Sequence, residues 1–110
     1  MSNLSQFIAT PNIPANTQSG AYTLTAFDVG MFINISTGGV TVPASIFYPG
    51  DIVTIYNNSA SSQTITQGAS VTMYLAGTAT TGNRTLTLRG IATVICVAAN
   101  TFVISGGGLS

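Results

Sequence analysis

Four side chains in this sequence carry a formal charge: Asp28, Asp51, Arg84 and Arg89. General acid–base chemistry needs a titratable group set beside the proton it moves. The two aspartates supply the only carboxylates, and a pair of them flanking a glycosidic bond is the hydrolytic arrangement that this number permits. Both stand in turn contexts, Asp28 ahead of Val29-Gly30 and Asp51 after Pro49-Gly50. Aspartate in such places hydrogen-bonds its own backbone. Cys96 is alone, so no intrachain disulfide forms. It lies in the apolar run from Ile91 to Ala98, and no histidine is present to deprotonate it. It reads as a small buried hydrophobe rather than a nucleophile. Zinc and calcium sites need more donors than these residues offer. The chain is therefore expected to be no enzyme and to hold no cofactor or metal. Gly106-Gly107-Gly108 follows a strand pattern with no helix after it, so it is not a phosphate cradle. It reads as a flexible exit or, alternatively, as close backbone packing near a symmetry axis.

The charge pattern also bears on partners. Charged residues make up 4% of the chain, against about 25% in ordinary soluble domains. Lys, Glu and His are absent and the net charge is +0. Phosphate contact needs clustered Lys or Arg, so nucleic acid is not an expected partner. Arg84 and Arg89 read as surface or interface ion-pairing residues. A net charge near zero promotes association, while 45% hydrophobic residues supply a core and argue against disorder. The longest apolar run is far below the roughly 18 residues of a membrane span. The first residues have no positive region and no long apolar segment, unlike a secretory signal. Synthesis in a cytoplasm is the expectation.

These residues must be positioned by β-structure. Residues 1–20 contain Pro11 and Pro14 among polar residues and read as an extended N-terminal arm, with Phe7, Ile8 and Ile13 as apolar anchors. Residues 21–110 read as one β-domain. Met31 to Ser36 and Arg84 to Arg89 alternate with a period of two, Asp51 to Asn57 is a strong strand after a Pro-Gly turn, and Ile91 to Ala98 is nearly all apolar. Ala99-Asn100 makes a two-residue turn into Thr101–Ser105. About nine short strands at such spacing predict an all-β fold: an antiparallel β-sandwich, jelly-roll-like, or a small barrel. No exact internal repeat is present, which argues against a solenoid. Phe47, Tyr48, Tyr56 and Tyr74 are candidates for an interface cluster. Core or rim packing accounts for them equally, and carbohydrate stacking on an exposed tyrosine less well. Strand edges without lysine need covering, so a homo-oligomer is expected.

In order along the chain come Tyr22-Thr23-Leu24, Asp28-Val29-Gly30, Val40-Thr41-Val42-Pro43, Tyr48-Pro49-Gly50-Asp51-Ile52-Val53-Thr54, Asn57-Asn58 and Thr64-Ile65. Gly82-Asn83-Arg84-Thr85-Leu86, Gly90-Ile91-Ala92-Thr93 and Phe102-Val103-Ile104-Ser105-Gly106 follow, with Gly108-Leu109-Ser110 at the end. This series resembles a small β-domain of bacteriophage virion proteins, found in head decoration or cement proteins and at the tips of tail fibres. Members often carry Trp where this chain has Phe102, which keeps an aromatic anchor but lacks the N–H donor. The resemblance implies a virion structural protein on the capsid surface, made in a bacterial host, commonly trimeric and without catalytic residues. Its implied partners are copies of itself and the major capsid protein. The alternative is a tail-fibre or spike tip that binds a host surface glycan or protein. A chain that starts at Met1 with only a short arm favours decoration.

Overall fold

Stretches with a period of two form strands, and each turns its apolar members toward one interior. The computed structural model describes residues 12–110, so Phe7 and Ile8 lie outside the described residues. Nine strands are present among them: β1 (Ala15–Gln18), β2 (Tyr22–Thr23), β3 (Phe32–Ile35), β4 (Val40–Val42), β5 (Ile52–Asn57), β6 (Gln63–Gln67), β7 (Thr72–Leu75), β8 (Arg84–Ala98) and β9 (Thr101–Leu109). A 3₁₀ turn, Ala26–Asp28, separates β2 from β3. The strands join a single sheet in the order β1-β3-β5-β8-β6-β4-β2, with β9 paired to β8 and β7 to β9. This sheet folds back on itself into a nearly closed, barrel-like form. The all-β class and the small-barrel option are thus what the chain adopts.

The pairing direction differs from expectation. Antiparallel ladders are confined to those of β8 with β5, β6 and β9. Parallel ladders join β1 to β3, β3 to β5, β2 to β4 and β4 to β6. Successive strands therefore alternate between two stacks, and the chain winds three short coils (β1–β2, β3–β4, β5–β6) like a brief solenoid. Period-two alternation reports which face is buried, not the direction of the neighbouring strand, so it leaves this open. The coils are also of unequal length: Ala15, Phe32 and Thr54 share one register row, and Tyr22, Val40 and Ile65 another. An exact repeat is absent for that reason, although the stacking it would signal is present. Part of the segment read as an arm, Ala15–Gln18, lies in the sheet as β1.

The interior is filled from both stacks. Ile33, Ile35 and Ile55 come from one, Val40, Val42 and Ile65 from the other, with Leu86, Val94 and Ile104 from the closing strands, all buried. Two predicted strands are one: β8 runs unbroken from Arg84 to Ala98. Its start pairs with β6 (Thr64 opposite Thr85) and its later part with β5 (Thr54 opposite Thr93). The bend falls at Arg89, whose φ is 56°, and the β8–β9 register shifts between Leu86 and Ile91. A bulge of this kind lets one strand close two stacks.

β9 continues through the glycines instead of ending at Ser105. Thr85 and Ser110 exchange both backbone hydrogen bonds at 2.9 Å, which ties the last residue to β8. Gly106-Gly107-Gly108 is therefore no loose exit. A Cβ on Gly106 would strike the carbonyl oxygen of Ile91 and come within 2.6 Å of Ala92 Cα. Gly108 has φ +87°, and a Cβ there would lie 2.6 Å from Thr87 Oγ1. Close backbone packing is real here, but it occurs within the chain, between β8 and β9. Gly107 has open space around it. Gly106→Ala is expected to destabilise the fold by about 2 kcal/mol, in the range of overpacking, while Gly107→Ala stays within roughly 0.5 kcal/mol of wild type. Urea denaturation of the two variants checks this, and equal stabilities would refute the packing account.

Candidate interaction site

The first coil carries polar residues where the later coils carry apolar ones. Asn16 and Gln18 on β1 occupy the register positions of buried Ile33 and Ile35 on β3. They face Asp28, which is only 1% exposed. Gln18 Nε2 donates to Asn16 Oδ1 at 2.8 Å, and Asn16 Nδ2 donates to Asp28 Oδ1 and to the Tyr22 hydroxyl, both at 2.9 Å. The Tyr22 hydroxyl donates to Asp28 Oδ2 at 2.7 Å, and the Thr25 backbone N–H to the same oxygen at 2.8 Å. Sequestered donors thus surround both carboxylate oxygens and close the end of the core. Polar closure of this sort is what the terminal unit of a stacked array requires. Asp51 follows the turn reading: its Oδ2 accepts from the Tyr48 backbone N–H at 2.9 Å. Among the described residues no group of three or more His, Cys, Asp or Glu gathers as a metal site would require.

The corners between the stacks are closed by neutral amides. Asn57, fully buried, donates to the carbonyls of Ser61 (2.7 Å), Leu86 (3.0 Å) and Thr87 (2.9 Å) and accepts from the Ser59 hydroxyl at 2.6 Å. Gln63 Oε1 accepts from the Gly39 N–H at 3.1 Å, and its Nε2 donates to Ser36 O and Ser59 Oγ. The sequence reading places Asn57 at the end of a strand and gives neither Asn57 nor Gln63 these roles. A buried amide at a strand end, followed by Ser-rich residues, is the signal that marks them.

The outward face has the opposite character. Tyr74 stands opposite Val103, Val103 opposite Ile95, and Ile95 opposite Ile52. The alternate residues, such as Met73, Phe102 and Cys96, are buried, so this row of four points away from the core. Tyr74, Ile52 and the nearby Val97 are 36%, 41% and 47% exposed. The next outward row is Thr54, Thr93 and Ser105, and the one after it pairs Tyr56 with Ile91. Across β7, β9, β8 and β5 these rows hold no charged side chain. Single exposed apolar residues are unremarkable, but a contiguous apolar patch marks an interaction surface.

The predicted site residues separate into several places. Tyr74 belongs to this row. Phe47 is buried, edge-to-face against Phe102 at 5.8 Å, whereas Tyr48 is 76% exposed beside it. Tyr56 lies two rows away on the same face, where Arg89 Nη1 donates to its hydroxyl at 3.4 Å and to Asn58 Oδ1. Arg84 Nε donates to the neighbouring Asn83 carbonyl at 2.7 Å. The aromatic residues therefore form no single cluster: Tyr74 and Tyr56 stand in separate outward rows at opposite edges of the face, and the β4–β5 loop directs Phe47 inward and Tyr48 outward. Ile13 is 58% exposed just before β1. Cys96 is buried with its Sγ 3.2 Å from the Ala98 carbonyl, and burial raises its thiol pKa above the ordinary value. No protein-family model, curated protein or solved structure matches the chain.

The cap yields a pH test. Burial, then donation to Asp28, raises the Tyr22 hydroxyl above the usual phenol value. The folded state holds that proton more tightly, so this stabilisation is whole below about pH 10, where the unfolded tyrosine is also protonated, and fades as pH rises through the folded value. The denaturation midpoint of wild type is expected to fall more steeply above about pH 10 than that of Tyr22→Phe. Cys96 is common to both proteins and drops out of the comparison. Asp28→Asn, which presents an N–H₂ group to surrounding donors, is expected to cost about 2–3 kcal/mol near neutrality by urea denaturation.

Proposed function

We propose that this chain is a bacteriophage head decoration protein, a homo-oligomer that binds the assembled shell and reinforces it. The observation that carries the proposal is the outward row of Tyr74, Val103, Ile95 and Ile52 across β7, β9, β8 and β5, which holds no charged side chain. A second copy is its occupant. A row without charge meets another copy with no unpaired ion to desolvate, which removes the main penalty of burying it. Full burial of a large apolar side chain contributes about 1.5–3 kcal/mol, so a few such residues per subunit supply the core of an interface. The ordered resemblance to virion β-domains supports the phage setting and the number three. An oligomer seated across neighbouring capsid subunits stabilises the shell because it binds the assembled state and not the dissociated one. A tail-fibre tip is the second reading, favoured by the exposure of Tyr48 on a loop away from the row.

Wild type is expected to sediment as a trimer at micromolar concentration, and Ile52→Lys, altered at an exposed position, as a folded monomer. A monomeric wild type, or an Ile52→Lys variant that assembles undiminished, would overturn self-association through this face. Added to shells that lack it, the wild-type oligomer is expected to bind and to raise their thermal disruption temperature. An assembled oligomer that leaves shells unchanged would remove the decoration role alone.

A further inference from the structure

The loop from β4 to β5 and the tip of the β8–β9 hairpin enclose a groove of about 300 Å³, at the small end of ligand sites. Phe47 forms its floor, held by the edge-to-face contact with Phe102. Tyr48 and Pro49 form one wall, and Ser45 and Asn100 the rim. No residue lining it is charged.

Several features fix this groove before any ligand arrives. Ser45 and Asn100 both adopt left-handed backbone, with φ of 67° and 51°. Such non-glycine residues are uncommon and gather at binding sites. They are joined directly, since the Ser45 N–H donates to Asn100 Oδ1 at 2.8 Å. That bond occupies the amide oxygen and leaves the Nδ2 group as a donor at the rim. The Asn100 carbonyl is itself tied to the Thr72 N–H at 2.9 Å. Tyr48 is anchored at its backbone on both sides: its N–H donates to Asp51 Oδ2, and its carbonyl accepts from the Asp51 N–H, each at 2.9 Å. A ring that is 76% exposed therefore projects from a rigid turn, offering an aromatic face at small entropic cost.

We propose that this groove is a binding site for a neutral saccharide. A pyranose ring has an apolar C–H face and a belt of hydroxyls. The Tyr48 and Phe47 rings with Pro49 match the first, and Asn100 Nδ2 with the Ser45 and Tyr48 hydroxyls match the second. An anionic ligand would find no cation in the lining, and a purely hydrocarbon ligand would leave the rim donor unpaired. The site lies apart from the Tyr74–Ile52 row, and the inference holds whether the oligomer sits on a shell or on a fibre.

The test uses the full chain and a panel of methyl α- and β-pyranosides of glucose, galactose, mannose and N-acetylglucosamine, followed by ¹H–¹⁵N NMR titration. At least one glycoside is expected to shift the amide signals of Ser45, Tyr48, Ala99 and Asn100 saturably, with a Kd of about 1 mM. Tyr48→Ala is expected to weaken binding at least about tenfold, and Tyr48→Phe, which keeps the ring face, by less than about threefold. Sedimentation of both variants as wild type would show that assembly is intact, separating this site from the interface. Retention on a neutral polysaccharide resin would identify a polymer-borne sugar, and glycoside binding without retention a free one; either supports the site. The proposal fails if no glycoside at about 50 mM, far above that Kd, perturbs the groove, if Tyr48→Ala binds as wild type, or if groove signals respond only to protein concentration, which would make it a contact between copies.

Discussion

The sequestered carboxylate of Asp28 is the constraint around which the first coil is arranged. A stacked pair of sheets has an open end, and an apolar core left there would meet water. Here the inward positions of β1 are Asn16 and Gln18; Asn16, Tyr22 and Thr25 direct donors at one buried acid, and Gln18 holds Asn16 by donating to its Oδ1. A buried charge persists only when hydrogen bonds replace its hydration, so each of these residues is fixed by the need of Asp28. β1, β2 and the 3₁₀ turn are too short to hold themselves; Asp28 joins all three. The ladder of β1 with β3 then sets the register from which the next coil is wound.

The same economy of charge runs through the other joints. Where many proteins use ion pairs, this one uses amides: Asn57 and Gln63 at the corners, Gln67 Oε1 accepting from the Met73 and Gly82 N–H groups, Asn83 Oδ1 from Gln67, and Asn100 Oδ1 from Ser45. An amide satisfies both a donor and an acceptor without the desolvation cost of a full charge. The consequence reaches the surface. Two of its four charges, Asp28 and Asp51, are spent on turns, and the outward row from Tyr74 to Ile52 carries none.

Much of this was legible in the residues. Met31–Ser36 and Asp51–Asn57 located the strands β3 and β5 closely, Pro49-Gly50 and Ala99-Asn100 marked real turns, and Asp51 made the local bond that its turn position implied. Strand direction was not legible, because Ile33 or Val53 would be buried equally beside a parallel or an antiparallel neighbour. The joining of Arg84–Arg89 to Ile91–Ala98 was hidden by Gly90, which usually breaks a strand and here accompanies a bulge. The glycines after Ser105 misled in the same way, because small size serves close approach as well as flexibility. The aromatic residues were found individually, but their separation into a core pair, an outward row and a lone exposed ring follows from loop geometry that no local pattern encodes.

Closure and exposure are produced by the same strands. β8 bends at Arg89 to bridge both stacks, β9 packs its glycines against that bend, and β7 extends the sheet by pairing with β9. These last strands in the chain supply Tyr74, Val103 and Ile95, three of the four members of the outward row. The hairpin that completes the core is therefore also the element that supplies most of the outward row. The ladder of β8 with β5 joins strands about 40 residues apart in sequence, a non-local contact that slows folding, and a partner bound across β7, β9 and β8 would hold the closing hairpin in place. Under the proposed self-association, assembly through this face and completion of the barrel would stabilise one another.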